Sequence, residues 1–139
     1  MPLMKPIGYW LNRTDAALTS YMNAMLDEFG LTRLVWQVLN VVEDGADVPD
    51  TAIHSVLAAN ADTDSLNTAI ATALAGNWVH RPAADRLALT EDGKQRLAAV
   101  AERVDAFREL STAGISLDEY RTAVSVLERI TANLESPSA

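Results

Sequence analysis

The segment from Asn77 to Gly93 constrains the fold most, because it is a β-hairpin pattern in a chain whose other apolar residues follow helical spacing. Val79 and His80 form one arm, and residues 87–89 form the other, with leucine at every second position. The tip between the arms contains a proline and carries Arg81 and Arg86 at its ends. A single hairpin inside a helical chain predicts a mainly α fold with a small β-hairpin wing.

Helical spacing on both sides of this hairpin predicts long helices at 6–30 and 91–135. Between them, two short helices joined by a tight turn at residues 60–62 predict a helix-turn-helix, whose second helix is the recognition helix. The polar stretch 43–47 is expected to be a loop. With 139 residues, the chain is one domain long. We therefore expect a single domain, 1–139, with a winged helix-turn-helix lobe at 32–90.

Residues with short polar side chains mark the expected helix starts, because their oxygens accept from free backbone N–H groups of the first turn. Helix ends are marked by Gly30 and by Gly76 or Asn77, which tolerate a left-handed backbone. The predicted caps are Thr32, Asp47 or Asp50, Asp62 or Thr63, Thr90, and Ser116 with Glu119 as a capping box.

Composition excludes several classes of protein. No cysteine is present, so disulfides and thiol chemistry are excluded, and a cytoplasmic location is expected. No apolar run approaches the roughly 20 residues of a membrane span, so no membrane partner is expected. His54 and His80 are too far apart in sequence to suggest a metal site. No nucleophile with a base partner and no phosphate-binding loop is evident. We therefore expect no enzyme activity, cofactor or metal.

The charge distribution limits any claim of DNA binding. The net charge is −8, which argues against indiscriminate binding to nucleic acid. No lysine or arginine lies between Arg33 and Arg81, whereas six acidic residues do. Four of these, Glu43, Asp44, Asp47 and Asp50, are expected to form a solvated loop cluster.

Three motifs of the hairpin region resemble the multiple-antibiotic-resistance repressor (MarR) family of winged-helix regulators. They are Trp78-Val79-His80-Arg81, Asp85-Arg86, and Leu89-Thr90-Glu91-Asp92-Gly93; Gly30-Leu31-Thr32 and Ile115-Ser116-Leu117-Asp118-Glu119 also fit. The resemblance implies a homodimer built from the N- and C-terminal helices. It also implies a recognition helix in the DNA major groove, a wing in the minor groove, and a small-molecule pocket between the dimer helices and the DNA-binding lobe.

The sequence departs from the family pattern in three places. Asn77 stands where the family usually has glycine, and the wing is short, with Leu87 in place of a second tip arginine. The recognition helix also has alanines where basic residues are common: Ala69, Ala71, Ala73 and Ala75.

Polar and basic residues of the recognition helix and wing are the DNA-binding candidates, because such side chains contact base edges and phosphates. The alternative is a neutral, solvated helix face, with Asp85 pairing with Arg81 or Arg86 to stiffen the wing. Lys5 and Arg13 could add phosphate contacts. The candidates are Ser65, Asn67, Thr68, Thr72, Arg81 and Arg86.

Aromatic and methionine side chains form adaptable apolar walls, so Tyr9, Trp10, Met22 and Trp36 are the candidates for a ligand pocket. The alternative for each is core or dimer packing. With the family resemblance, these residues imply a homodimeric transcriptional regulator, a repressor, on a pseudo-palindromic double-stranded DNA operator, released by a small planar or phenolic effector. The rival hypothesis is a winged-helix dimer that has lost DNA binding and acts through protein or small-molecule contacts.

Overall fold

The computed structural model describes residues 4–137. Within them, no helix is long and apolar enough to cross a bilayer. The chain forms two compact units, one up to Val104 and one from Asp105 onward. The elements are α1 (Ile7–Asp27), α2 (Arg33–Gly45), β1 (Val48–Pro49), α3 (Asp50–Val56), α4 (Thr63–Ala75), β2 (Val79–His80), β3 (Arg86–Leu89), α5 (Glu91–Ser111) and α6 (Leu117–Glu135).

Most helices begin where the sequence predicts a cap. Thr32 accepts from the N–H of Val35, and the reciprocal hydrogen bonds of Ser116 and Glu119 are both present. Asp62 and Thr90 cap α4 and α5. The prediction for α3 is wrong: this helix follows Pro49 and has no side-chain cap, because the two aspartates beside it have other partners.

A left-handed backbone follows α1 and α4 at the expected places. Gly30 has φ +72°, and Asn77 has φ +62°, whereas Gly76 stays at −81°. Asn77 is therefore the residue that turns the chain out of α4. Asparagine tolerates this conformation better than other side chains, so it can replace glycine here.

The predicted hairpin of β2 and β3 is part of a three-stranded antiparallel sheet in the order β1-β3-β2. Val48 lies opposite Leu87 in the added pair, and Val79 lies opposite Leu89 in the hairpin. The prediction of a loop at 43–47 is partly wrong, because α2 continues to Gly45. The strand β1 was not predicted, since a two-residue strand containing proline has no periodicity of its own.

The core of the first unit lies between the helices and the inner side of the sheet. Buried side chains of α2, Val35, Val38, Leu39 and Val42, recur at helical spacing and form one apolar face. The other large side chains that are almost completely buried include Leu26, Ile53, Leu66, Leu87, Val79 and Val100. This core fixes α4 and the wing on one lobe.

Two helices have large apolar side chains that no described residue buries. α6 has no buried residue, although its apolar residues follow helical spacing. On α6 the exposed apolar residues are Leu117, Tyr120, Val124 and Leu134, and on α1 they are Ile7, Trp10, Leu11, Leu18 and Tyr21. Apolar faces of this extent are uncommon on monomers that remain in solution.

Candidate nucleic-acid interface

The recognition helix α4 is held by its cap and by its buried face. The Ser65 N–H donates to Asp62 Oδ1 at 2.8 Å. This hydrogen bond holds the pKa of the Asp62 carboxyl below its ordinary value. Leu66 and Ile70 are buried on the opposite side. The helix therefore presents a fixed outer face.

All four DNA-binding candidates on α4 lie on exposed positions. The Thr68 hydroxyl donates to the Asp64 carbonyl at 3.0 Å, and the Thr72 hydroxyl donates to the Thr68 carbonyl at 2.9 Å. Each hydroxyl therefore keeps acceptor capacity, while the threonine methyl groups are suited to contact with thymine methyls. Ser65 is also exposed, at the start of the helix.

Asn67 is connected to α3 by a side-chain hydrogen bond. His54 is partly buried, and its Nε2 lies 2.8 Å from Asn67 Oδ1. The contact occupies the amide oxygen of Asn67 and orients its amide nitrogen. The nitrogen is a double donor of the kind that bonds base acceptors.

The four alanines of α4 divide between its two faces. Ala69 and Ala73 are buried in the core, so a basic residue could not replace them there. Ala71 and Ala75 are exposed. Of the four alanines, only Ala71 and Ala75 therefore occupy positions on the outer face of α4 where a basic side chain could lie.

The wing continues directly from the end of α4. The Trp78 N–H donates to the Ala73 carbonyl at 3.0 Å, and the Thr90 N–H donates to the Trp78 carbonyl at 3.0 Å. The Arg96 guanidinium lies 3.8 Å from the centre of the Trp78 ring and donates to the Gly76 carbonyl at 2.9 Å. These contacts fix the base of the wing against the recognition helix.

Arg81 forms a two-point ion pair with Asp50. Its Nη1 and Nη2 lie 3.0 and 3.1 Å from Asp50 Oδ1 and Oδ2, in the parallel arrangement that arginine and carboxylate favour. Hydrogen bonding to Asp50 raises the pKa of Arg81. The side chains are 32% and 26% exposed, so the pair is partly shielded from water.

Arg86 is held by Asp47. Its Nε lies 2.7 Å from Asp47 Oδ1, and its Nη2 donates to the backbone carbonyl of Asp47 at 2.8 Å. The side chains are 40% and 51% exposed, more than those of the Arg81 pair. Each wing arginine therefore has a carboxylate partner.

The partners differ from those that the sequence suggested. The alternative interpretation paired Asp85 with Arg81 or Arg86, but the ion pairs use Asp47 and Asp50. Asp85 instead accepts the Asp50 N–H through its backbone carbonyl at 2.9 Å. The expectation that Asp47 and Asp50 are merely solvated is wrong. Sequence reasoning missed them because these contacts join residues 31 and 39 positions apart, and no local pattern identifies such partners.

The basic residues near the N-terminus gather around Tyr9. Arg13 Nη1 donates to the Tyr9 hydroxyl at 3.0 Å, and Lys5 Nζ lies 5.1 Å from the centre of the Tyr9 ring. Both cations are exposed. Their suggested phosphate contacts remain a prediction.

The ligand-pocket candidates fall into two groups. Tyr9 and Trp10 pack edge to face near the start of α1, with ring centres 5.0 Å apart. Met22 and Trp36 are partly buried against the core. Trp10 and Met22 are twelve residues apart on one helix, or about 18 Å. The pocket therefore remains a prediction.

A separate open cleft of about 450 Å³ lies within the second unit, at the junction of α5 and α6. Arg108, Ile115 and Tyr120 are among its lining residues, and none of the predicted ligand residues is. Its Ser111 and Thr112 hydroxyls already donate to the Arg108 carbonyl.

Solved structures with the same fold include several bacterial regulators. The reduced form of MarR from E. coli matches with a TM-score of 0.71 and 19% identity, covering 92% of this chain and 95% of that one. A MarR family protein from Mycobacterium tuberculosis, solved with DNA, matches with a TM-score of 0.72 and 22% identity over 91% and 98% of the two chains. A mutant E. coli MarR with operator DNA has a TM-score of 0.71 and 18% identity, over 90% and 93%.

No sequence-family model matches the chain, and no curated protein sequence matches it. At identities below 25%, the structural likeness establishes the fold. It covers nearly the whole of each compared chain. The chain therefore has the fold of the MarR-family winged-helix transcriptional regulators.

Proposed function

We propose that this protein is a dimeric DNA-binding transcriptional regulator of the MarR type. The observation that carries the proposal is the outer face of α4, exposed and polar, joined rigidly through Trp78 to a wing with two arginines. In helix-turn-helix proteins such a helix enters the major groove. The complexes of structurally similar proteins with DNA support this use of the fold.

Charge sets the expected strength of binding. Arg81 and Arg86 are the only basic residues of segment 34–93, which contains α4 and the wing, and both are paired. Phosphate contacts supply most of the salt-dependent affinity for DNA. We therefore expect modest affinity with a shallow dependence on salt, and specificity that depends on polar and methyl contacts from α4.

A second copy of the chain is the proposed occupant of the exposed apolar faces of α1 and α6. On each face the apolar residues recur at helical spacing. No large side chain is buried in α6 or in the part of α1 before residue 25. A two-fold dimer would present two recognition helices to a pseudo-palindromic operator, about one DNA turn apart. Action as a repressor and release by a planar or phenolic effector belong to the same proposal.

The test is a gel-shift screen at low salt of fragments around the protein's own gene. We expect at least one fragment to bind specifically, and the double variant Arg81→Ala, Arg86→Ala to lose that binding while remaining folded. The matched control is Arg121→Ala, Arg129→Ala on α6, which removes the same charge and should retain binding. Absence of any specifically bound fragment would reject the proposal.

The pairing of both wing arginines favours one alternative. A wing whose cations are neutralised by carboxylates is also compatible with a winged-helix dimer that no longer binds DNA and acts through protein or small-molecule contacts. In that case the double arginine variant would retain the partner interaction, and no duplex would be selected from a random pool.

A further inference from the structure

We propose that Asp47 sets the DNA affinity of the wing by holding Arg86, so that Arg86 reaches a DNA phosphate only by exchanging the Asp47 carboxylate for it. The inference rests on the proposed DNA-binding function. In the folded protein, Asp47 competes with DNA phosphate for the guanidinium of Arg86.

The strand β1 places Asp47 beside the wing. Asp47 and Asp50 flank its two residues, and β1 pairs with β3, whose first residue is Arg86. Among the described residues, this end of the sheet has the guanidiniums of Arg81 and Arg86 and the carboxylates of Asp47, Asp50 and Asp85. Its formal charge is therefore negative, although it is the part of the lobe that is expected to meet phosphate.

The two ion pairs are not equivalent. Arg81 uses both terminal nitrogens in its fork with Asp50, and its Nη1 also lies 3.4 Å from the Arg86 carbonyl, so it connects α3 to both strands of the wing. The pair of Arg86 is more exposed and has only one contact to a carboxylate oxygen. Arg81 with Asp50 thus stabilises the wing, whereas Arg86 with Asp47 is the pair that can open.

A phosphate can replace the Asp47 carboxylate directly, because carboxylate and phosphate oxygens accept from the same guanidinium N–H groups. Exposed ion pairs are held weakly in water, so a phosphate can displace Asp47. Each contact of Arg86 with phosphate therefore costs its ion pair with Asp47, which opposes binding. Removal of the Asp47 charge should therefore strengthen binding in a way that depends on Arg86.

The ion pair itself is tested first, without DNA. In the 139-residue chain, NMR should detect an Nε–H signal of Arg86 whose exchange with water is slowed by the Asp47 hydrogen bond. Exchange should accelerate in Asp47→Asn and stay unchanged in Asp44→Asn, which removes the same charge from an exposed residue in the last turn of α2. Equal exchange rates in the two variants would overturn the proposal.

The effect on DNA is measured with a random-sequence duplex of 24 base pairs at low salt, so that no operator is needed. We expect Asp47→Asn to bind about 3- to 10-fold more tightly than Asp44→Asn, the order of magnitude of one exposed charge contact. The slope of log affinity against log salt should steepen by up to about 0.9, the value of one phosphate contact, because Asp47 no longer competes with phosphate for Arg86. Combination with Arg86→Ala should abolish the difference between the two aspartate variants.

The outcomes separate this proposal from the proposed function. An equal gain in Asp47→Asn and Asp44→Asn, a gain that persists with Arg86→Ala, or weaker binding by Asp47→Asn would each overturn the role of Asp47. The proposed function depends on a different measurement, the recovery of a specifically bound fragment by the wild-type protein. If the wild-type protein binds a fragment specifically and Asp47→Asn has no effect, the proposed function stands and the role of Asp47 does not. If Asp47→Asn has the expected effect but no fragment is bound specifically, the proposed function is rejected.

Discussion

Gly93 occupies a position of α5 where the backbone passes against the carbonyl of Trp78. A Cβ at this position would overlap that backbone oxygen and approach the Thr90 hydroxyl. The glycine is therefore required by the close contact between the base of the wing and the first turn of α5. This is the physical reason for glycine in the motif Leu89-Thr90-Glu91-Asp92-Gly93.

Replacement of Gly93 by alanine tests this contact. We expect Gly93→Ala to lower the free energy of unfolding by about 1–3 kcal/mol or more, because backbone must move to accommodate the methyl group. The control Gly8→Ala, on α1 with no atom near the added Cβ, should raise it by up to about 1 kcal/mol through helix propensity. Urea unfolding measures both, and equal effects of the two changes would contradict the assignment.

The cap of α4 makes the recognition helix sensitive to acid. The pKa of Asp62 is lowered in the folded chain by its hydrogen bond from Ser65, so the unfolded chain binds the proton more readily. The contribution of Asp62 to stability is present above the ordinary pKa of about 4 and is lost as the pH falls through the lower folded pKa.

Asp62→Asn separates the cap from its titration, because asparagine also caps helices but does not ionise. We expect hydrogen exchange of the Ser65 amide to accelerate in wild type as the pH falls below about 4, after correction for the intrinsic rate. The variant should show much less of this acceleration. An identical pH profile in both proteins would show that the carboxylate does not hold the start of α4.

At the scale of elements, the features that the sequence predicts correctly are those set by contacts between residues close together in the chain. The caps of α2, α4, α5 and α6 join residues within three positions, so a short sequence window contains the whole interaction. The strand β1 was missed because its stability comes from β3, whose residues follow it by more than thirty positions.

The outer face of α4 is neutral because Ala71 and Ala75 are exposed where a cation could lie. We expect Ala71→Arg to tighten binding to duplex DNA several-fold and to steepen the salt slope by about 0.9, as one further phosphate is neutralised. Ala98→Arg, exposed on α5, is the control with the same charge change. Equal slopes for the two variants would mean that α4 does not face DNA.

At the scale of the whole molecule, the apolar faces of α1 and α6 predict self-association. We expect sedimentation at micromolar concentration to give a dimer, because no residue of the described chain buries the large apolar side chains of α6. Val124→Asp should shift the equilibrium to monomer by placing a charge on that face. Thr122→Asp, with the same charge on the other side of the helix, should remain dimeric, and a folded wild-type monomer would contradict the prediction.

The sequence by itself determined the order of the helices, the starts of α2, α4, α5 and α6, the ends of α1 and α4, and the hairpin, because periodicity, capping and left-handed turn residues act over a few positions. Only the tertiary structure decided which carboxylates meet Arg81 and Arg86, and which alanines of α4 are buried. Asp47 and Asp50 are 39 and 31 residues from their partners. Their distance to the wing is set by packing of the core and by the pairing of β1 with β3, which no local pattern encodes.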